Sequence, residues 1–358
     1  MDRINIQAST DYEVLIGKGL IDSCGTHVRE RLFRAQKALI VTDSNVAPLY
    51  LGRVKSSLER EGFTCYEYIF EAGEEKKNID SIAGMWAVMA EEEFTRTDIV
   101  VSLGGGVATD MGGFAAATFL RGIKVVQIPT SLLAMADAAL GGKTGIDLPQ
   151  GKNLAGAFHQ PSMVIEDTDC LTTLPSEVFT EGMAEVIKYA FIMDKELYAV
   201  LSEIAESGKA MSLQGDTDTL TKILISCVKD KAEVITEDEK DNGRRQILNY
   251  GHTIGHVIER NSSFTLAHGV CVAKGMGIIA DACCKNGLTS KETADEIKGL
   301  IKAYGLPAED SITPEGAVSG AMNDKKKRGD TISLILVNEI GKAEIKKMTP
   351  EELLEFLR

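Results

Sequence analysis

Short apolar runs alternate with longer helical patterns through the first half of the chain. Apolar runs at residues 37–42, 98–103 and 124–128 have the length of buried strands, and residues 79–93 between the first two have a helical pattern. Strands that alternate with helices are typical of a mostly parallel sheet covered by helices. The pattern therefore predicts an α/β domain.

Helical patterns dominate after about residue 170. They cover residues 181–193, 219–235, 248–259, 270–285 and 291–304, and only residues 331–337 and 342–346 have the pattern of a strand hairpin. Thr349, Pro350 and Glu352 form a helix start, with an N-cap, a proline at the first position and a capping-box glutamate. The prediction is an α/β domain over residues 1–170 and a mainly α-helical domain over residues 171–358.

The amino-acid composition limits the classes of partner that the protein could bind. The 358 residues include 39 Lys and Arg against 53 Asp and Glu, which gives a net charge of −14. This charge argues against nucleic acid or an anionic membrane as a partner, although a local cationic cluster could still bind an anionic substrate. No apolar run is long enough for a membrane span. The seven cysteines lack metal or disulfide spacing, so we expect reduced thiols in the cytoplasm.

A glycine-rich turn follows the apolar run 98–103. Residues 104–110, GGGVATD, would place backbone N–H groups and a helix N-terminus where a phosphate could bind. The segment lacks the full G-x-G-x-x-G pattern, so a tight turn that needs glycine for steric reasons remains the alternative. Asp43, at the end of an earlier strand, could meet a ribose hydroxyl or could cap a turn.

Residues 121–153 contain a second glycine-rich stretch. Gly142, Lys143 and Thr144 resemble the end of a P-loop, but the upstream glycine of that motif is missing, so a P-loop NTPase is excluded. We expect a loop here, whose Lys143 and Lys152 either bind phosphate or are solvated.

The histidines are clustered. Three of the five, His252, His256 and His268, lie close together in sequence, and the first two share a helix face at i and i+4. Neutral imidazole is a good zinc ligand, and Glu185 could complete a site with one open position. Surface histidines are the alternative, as is a simple ion pair between Glu185 and Lys188. Spacing alone favours His252 and His256 as the ligands.

Eight segments, taken in order, resemble one family. They are GEEKKN, GGGVATDMGGFAAATFLRG, QIPTSLLAMADAALGGKTG, GKNLAGAF, TLPSEVFTEGMAEVIKY, LNYGHTIGHVIE, HGVCVAKGM and NDKKKRG, between residues 73 and 329. The chain thus resembles the 3-dehydroquinate synthase family of sugar-phosphate cyclases.

The resemblance implies a Rossmann-like NAD-binding domain at residues 1–170 and a metal- and substrate-binding helical domain at residues 171–358. It implies NAD and Zn²⁺ or Co²⁺ as cofactors, and a homodimer. The implied reaction converts 3-deoxy-arabino-heptulosonate 7-phosphate (DAHP) into 3-dehydroquinate and phosphate, the second step of the shikimate pathway. It proceeds by transient oxidation with NAD, phosphate elimination, reduction and an intramolecular aldol step.

The resemblance also assigns residues. It implies metal ligands at Glu185, His252 and His268, which differs from the choice that spacing favours. It implies cofactor contacts from Asp43, Asn45, Glu74, Lys77, Gly105, Gly106, Val107, Asp110, Thr130, Ser131, Lys143, Lys152, Thr173 and Leu174. It implies substrate or catalytic contacts from Asp137, Lys143, Asn153, Lys188, Lys231, Arg245, Asn249, His256 and Lys326, with Arg121 supplied by the other subunit.

Five positions depart from the family pattern. Asp241 stands where the family usually has Glu, Ser131 where it has Thr, Ala138 and Ala139 where it has two serines, and Val270 where it has Glu. Ser131 keeps the hydroxyl, and we expect Asp241 to make a shorter or water-mediated contact. Ala138, Ala139 and Val270 remove polar groups but no expected ligand, so we expect their effect to fall on substrate choice.

Three rival functions remain for comparison. A metal-dependent alcohol or glycerol dehydrogenase would accumulate NADH and would need no cradle for phosphate or carboxylate. A sister cyclase would act on another sugar phosphate, and Arg245 favours a substrate with a carboxylate. A non-catalytic NAD-binding protein would not need the set of Glu185, His252 and His268.

Overall fold

A computed structural model describes residues 1–322 and 331–358 of the chain. The strands are β1 (Asp2–Ile6), β2 (Tyr12–Gly17), β3 (Lys37–Asp43), β4 (Thr64–Phe70), β5 (Ile99–Gly104), β6 (Lys124–Pro129), β7 (Lys143–Leu148), β8 (Gly151–Phe158), β9 (Met163–Asp167), β10 (Ile332–Glu339) and β11 (Lys342–Met348). The helices are α1 (Cys24–Arg31), α2 (Gly52–Arg60), α3 (Ile79–Glu91), α4 (Gly106–Thr118), α5 (Ser176–Ile192), α6 (Lys195–Glu206), α7 (Thr217–Glu237), α8 (His252–Asn261), α9 (His268–Lys285), α10 (Lys291–Ala303), α11 (Pro314–Met322) and α12 (Pro350–Leu357). None of the helices in this described part of the chain is long and apolar enough to span a membrane.

The chain divides into two compact units. Unit 1 contains Met1–Pro175 and Thr217–Lys240, and unit 2 contains Ser176–Asp216 and Asp241–Arg358. The predicted boundary at residue 170 places α7 in the second domain, whereas α7 belongs to unit 1. The reason is that α7 packs against β1, β2 and the turn after β6. A local helical pattern carries no information about such a distant partner.

Unit 1 is built on a seven-stranded sheet in the order β1-β2-β9-β6-β5-β3-β4. β1 runs antiparallel to β2, and the other neighbours are parallel. The predicted strands at residues 37–42, 98–103 and 124–128 are confirmed as β3, β5 and β6. α3 and α4 pack their apolar sides on this sheet around the fully buried Leu39, Val100 and Met111. The α/β prediction for this part of the chain is confirmed.

A hairpin replaces part of the predicted loop at residues 121–153. β7 and β8 pair antiparallel, with Lys143 opposite Phe158 and Leu148 opposite Gly151. The two strands are rich in glycine and polar residues, which is why their pattern indicates a loop. Cross-strand pairing and the packing of α4 on β7 overcome that weak local preference.

Unit 2 is mainly helical and also contains the β10–β11 hairpin, as predicted. The predicted helix at residues 248–259 begins later, at His252, because Arg244–Asn249 forms a 3-10 turn and Gly251 adopts a left-handed φ of 79°. α6 and α11 are not among the predicted helices. The predicted capping box at the start of α12 is present, with the Thr349 side chain accepting from the Glu352 N–H.

Candidate functional site

Two charged side chains lie on the buried face of α5. Glu185 is 1% exposed and Lys188 is fully buried. The Lys188 Nζ donates a hydrogen bond to Glu185 Oε2, as the i, i+3 spacing allows. Burying either charge alone would cost several kcal/mol, so each needs the other. The ion pair considered from the sequence is therefore present, but it involves only one oxygen of the carboxylate.

The other oxygen of Glu185 faces two histidines. Glu185 Oε1 is 3.5 Å from His252 Nε2 and 3.4 Å from His268 Nε2. His252 is the first residue of α8 and His268 is the first residue of α9. The two helices approach closely at Gly275, where a Cβ would lie 2.1 Å from the Gly251 carbonyl oxygen. Glycine at this contact thus brings the two imidazoles together.

The second nitrogen of each ring fixes its orientation. The His252 Nδ1 lies 3.1 Å from the carbonyl oxygen of Tyr250, which can only accept a hydrogen bond. Nδ1 therefore carries the proton, and the lone pair of Nε2 points towards Glu185. The His268 Nδ1 lies 3.7 Å from Glu259 Oε2, a buried carboxylate on α8. Carboxylates and carbonyls in this position are the usual partners of metal-binding histidines.

The pKa values of Glu185, His252 and His268 are shifted in different ways. Burial opposes the ionisation of Glu185, but the charge of Lys188 outweighs it, so the pKa of Glu185 lies well below its usual range. Burial lowers the pKa of His252 and keeps that ring neutral. Burial also opposes the charged form of His268, but the nearby carboxylates of Glu185 and Glu259 raise its pKa. A metal at this position would have to displace the His268 proton.

These groups fit a divalent metal. One ligand atom each from Glu185, His252 and His268 can be chosen so that all lie within 4.8 Å of one another. Glu185 Oε1 is buried and makes no hydrogen bond, so it has an unused lone pair towards the histidines. One carboxylate and two imidazoles form a typical zinc donor set that leaves a position open. The His252 and His256 pair favoured by spacing does not by itself form such a group in the described residues.

His256 lies beside this set without belonging to it. Its ring centroid is 5.5 Å from that of His252 and 5.9 Å from that of His268. It belongs instead to a second group with Glu259 and His268. Arg245, buried in the turn Arg244–Asn249, and Asn249 at the end of that turn also lie in unit 2. Lys326 lies outside the described residues.

In unit 1 the glycine turn connects β5 to α4. Gly104 has a φ of 154°, which a residue with a side chain rarely adopts. Its carbonyl oxygen accepts the Thr130 N–H at 2.9 Å, so the Thr130–Ser131 segment is held beside the turn. A Cβ on Gly105 would lie 3.4 Å from Ser131 Oγ. Because these glycines carry no side chain, a nucleotide phosphate could approach the backbone at this helix N-terminus.

The predicted cofactor residues around the turn are held in different ways. The Asp43 carboxylate accepts hydrogen bonds from the N–H groups of Asn45 and Val46 at 2.8 and 3.1 Å. One of its oxygens therefore caps the turn, which is one of the two roles considered from the sequence. Its other oxygen, Oδ2, would lie 3.4 Å from a Cβ at Gly104. The first turns of α4 carry Gly106, Val107 and Asp110, which are all partly exposed.

A buried lysine connects α4 to the β7–β8 hairpin. The Lys77 Nζ donates to Asp110 Oδ2 at 2.6 Å and to Asn153 Oδ1 at 2.7 Å. Burial opposes the charge on Lys77, but Asp110 and Glu74 raise its pKa. Lys152 pairs with Glu74 at 3.4 Å. The structure thus brings five predicted residues of two different roles into one network.

Two further predicted residues form a pair in unit 1. The Lys231 Nζ of α7 donates to both the carboxylate and the backbone carbonyl of Asp137. The remaining unit 1 residues are more scattered. Thr173 and Leu174 end the turn after β9, Lys143 is exposed at the start of β7, and Arg121 is exposed at the end of the turn after α4.

Sequence reasoning missed three carboxyl groups. Glu259 falls on the helix face of His252 and His256, three residues after His256, so spacing could have identified it. Asp147 accepts the Asn153 N–H at 2.7 Å, and its own sequence context gives no sign of this. Glu166 on β9 is fully buried and neither carboxyl oxygen has a hydrogen-bond partner. Burial raises the pKa of Glu166 well above its usual range, against the opposing charge of Lys231.

Comparison with known proteins gives matches along most of the chain. Family models named 3-dehydroquinate synthase N-terminal and 3-dehydroquinate synthase C-terminal match residues 67–181 and 182–327. The 3-dehydroquinate synthase of Clostridium acetobutylicum is 40% identical over 349 residues, which cover 97% of this chain and 96% of that protein.

Two solved structures share the fold. The 2-epi-5-epi-valiolone synthase of Streptomyces hygroscopicus, with NAD⁺ and Zn²⁺ bound, has a TM-score of 0.88 at 24% identity and covers 99% of this chain and 98% of its own. A 2-deoxy-scyllo-inosose synthase complexed with carbaglucose-6-phosphate, NAD⁺ and Co²⁺ has a TM-score of 0.87 at 22% identity, with 100% of this chain and 99% of that chain covered.

Proposed function

The chain belongs to the 3-dehydroquinate synthase family, and on this premise we infer that it is a lyase that converts DAHP into 3-dehydroquinate and phosphate. The reaction belongs to the shikimate pathway, which leads to chorismate and the aromatic amino acids. The observation that carries this function is the convergence of Glu185, His252 and His268 around the unused Glu185 oxygen, beside Lys188.

Glu185, His252 and His268 would hold Zn²⁺ or Co²⁺. A metal at this position acts as a Lewis acid that lowers the pKa of a bound substrate hydroxyl. His252 is suited to the role because burial keeps it neutral and Tyr250 fixes its tautomer. Lys188 holds the other Glu185 oxygen, which orients the carboxylate towards the histidines.

The unit 1 turn would hold NAD. When bound there, NAD would supply a hydride acceptor that is regenerated in each turnover. The N-terminus of α4 favours the pyrophosphate charge, and Lys77 holds Asp110 in a fixed position on the first turns of that helix. Asp43, Thr130 and Ser131 are the polar groups next to the turn. Asn45, Glu74, Lys152, Thr173 and Leu174 take the remaining cofactor contacts.

The substrate's charges determine the roles of the other residues. Lys143, Asn153, Lys188, His256 and Lys326 would bind the phosphate and stabilise its charge as it leaves. Arg245 and Asn249 would bind the carboxylate, because a guanidinium and an amide match its two oxygens. Asp137 and Lys231, which already hold each other, would contact the ring hydroxyls.

We also propose an oligomeric state and a cellular location for the protein. The protein acts as a homodimer, and Arg121 from one subunit contacts the substrate phosphate bound by the other. Leu120 and Arg121 have left-handed φ values of 50° and 68° and are exposed, which directs that turn outwards. The protein works in the cytoplasm, and its seven free cysteines support a reducing compartment.

Phosphate release tests the reaction directly. The purified enzyme should release phosphate from DAHP with NAD at catalytic concentration, and a chelator should abolish the release until zinc or cobalt is restored. Glucose 6-phosphate should not serve as a substrate. Absorbance of NADH should stay flat throughout, whereas a dehydrogenase would produce NADH in proportion to substrate consumed. Phosphate release that is insensitive to metal removal would contradict the proposal.

A complementation experiment tests the role of Arg121. Arg121→Ala and Lys188→Ala should each be inactive alone, and a mixed dimer would contain one site with both wild-type residues. Partial activity should therefore return in a verified mixed dimer. A mixed dimer without any recovered activity would show that Arg121 does not act across the interface.

A further inference from the structure

Three residues of unit 1 form a closed ring of hydrogen bonds. The Asp147 N–H donates to the Lys77 carbonyl oxygen at 2.8 Å, and the Asn153 N–H donates to Asp147 Oδ1 at 2.7 Å. The Lys77 Nζ completes the ring by donating to Asn153 Oδ1 at 2.7 Å. The three residues come from the segment before α3, from β7 and from β8, so the ring joins three parts of the fold.

Asn153 needs the ring to keep its conformation. Its φ is +52°, a left-handed value inside a strand, and this backbone is strained relative to an extended one. The bond from its N–H to Asp147 Oδ1 offsets that strain. The same left-handed conformation directs the Asn153 amide oxygen to the Lys77 ammonium.

Lys77 in turn depends on Asn153. The Lys77 side chain is almost fully buried, and its ammonium donates hydrogen bonds to Asp110 and Asn153. Asp110 alone could hold the ammonium in more than one position, whereas a second acceptor at a fixed place sets its direction. Asp147 thus determines the placement of Lys77 in two ways, through the Lys77 backbone and through Asn153.

We propose that Asp147 is a positioning residue, which touches neither cofactor nor substrate but holds Asn153 and Lys77 in the arrangement that NAD binding requires. This inference rests on the proposed function, since that function makes Lys77 and Asp110 part of the NAD site. Asp147 needs only one acceptor oxygen for this role, so an asparagine at the position keeps it and an alanine loses it.

Direct titration with NAD, without substrate, tests the proposal. Asp147→Ala should weaken NAD binding by about tenfold or more, the effect of losing one hydrogen bond in a charged network. Asp147→Asn should bind NAD within about twofold of the wild type, because its side-chain oxygen can still accept the Asn153 N–H. Gln150→Ala, an exposed change in the same hairpin, is the matched control and should bind NAD normally.

A second variant distinguishes a loss of NAD binding from a folding defect. Asn153→Ala should weaken NAD binding by a similar factor, and the Asp147→Ala/Asn153→Ala double variant should be no weaker than the single variants, because both break one ring. Normal NAD affinity in Asn153→Ala, or in folded Asp147→Ala, would overturn the proposal. A purely structural role would lower the melting temperature of Asp147→Ala and leave its NAD affinity unchanged.

The outcomes also separate this inference from the proposed function. A wild-type protein that does not bind NAD would refute the proposed function, and with it the role of Asp147. A wild type that binds NAD, together with an Asp147→Ala variant that binds it equally well, would refute the positioning role alone. Failure of Asp147→Asn to restore binding would also refute it, because the acceptor would then not be what matters.

Discussion

In unit 2, side chains from α5, α8 and α9 meet at one buried carboxylate oxygen, whereas in unit 1 a backbone turn is surrounded by a network of hydrogen bonds. Loss of Glu185, His252 or His268 would remove one of the three proposed metal ligands. Loss of one group in unit 1 leaves the glycine turn and the other contacts in place. We therefore expect a single substitution to abolish binding at the unit 2 site, but only to weaken binding at the unit 1 site.

Glu185→Gln should break the unit 2 site completely. Phosphate release should fall by roughly a thousandfold, because the metal that Glu185 helps to hold supplies several kcal/mol of transition-state stabilisation. The free energy of unfolding should fall by about 3 kcal/mol, since the buried Lys188 loses its charged partner. A phosphate-release assay with metal analysis checks the first effect, and urea unfolding checks the second. The exposed Glu177→Gln on the same helix is the control. A full equivalent of bound zinc in Glu185→Gln would contradict the account.

Lys77→Met should damage the unit 1 site only in part. NAD affinity should fall by roughly 10–100-fold, the range for lost hydrogen bonds to a charged group, while the variant keeps its zinc. Lys76→Met is a close control, because the Lys76 side chain forms an exposed ion pair with Glu71, which contributes little. Isothermal titration with NAD measures the difference. Loss of zinc from Lys77→Met would show that the two sites are not independent in the way described.

Glu259→Gln should weaken the metal site without destroying it. The Glu259 carboxylate lies next to His268 Nδ1, and changing such a partner of a metal ligand typically costs 10–100-fold in metal affinity. Competition with a chelator of known affinity measures the change. The zinc-loaded variant should retain most of its turnover. Unchanged zinc affinity would show that Glu259 does not support His268.

Glu166→Gln should change stability in a pH-dependent way. Because burial raises the pKa of Glu166, the folded protein keeps a proton that the unfolded chain releases as the pH rises above the usual carboxyl range. Wild-type stability is lost over that interval, so the advantage of Glu166→Gln should grow by about 1.4 kcal/mol per pH unit until Glu166 ionises. Urea unfolding at several pH values between 5 and 8 checks this. A difference that does not vary with pH would contradict the buried, protonated state.

The sequence predicts elements and contiguous motifs better than it predicts contacts between them. β3, β5, β6 and the start of α12 follow from local patterns. The placement of α7 in unit 1, the β7–β8 hairpin and the ring around Asp147 depend on partners that are distant in sequence. For the site, spacing identified the histidine cluster but favoured His256, because the approach of α8 and α9 at Gly275 is not visible in a single helix. The choice of His268 came from the family resemblance.

The metal content of two purified variants decides which histidines bind the metal. His268 is proposed to bind it together with Glu185 and His252, and His256 is proposed to bind the substrate phosphate. His268→Ala should therefore contain almost no zinc. His256→Ala should keep its zinc and lose turnover through weaker phosphate binding, at a cost of about 1.5–3 kcal/mol. Zinc that is lost from His256→Ala and retained by His268→Ala would contradict the assignment.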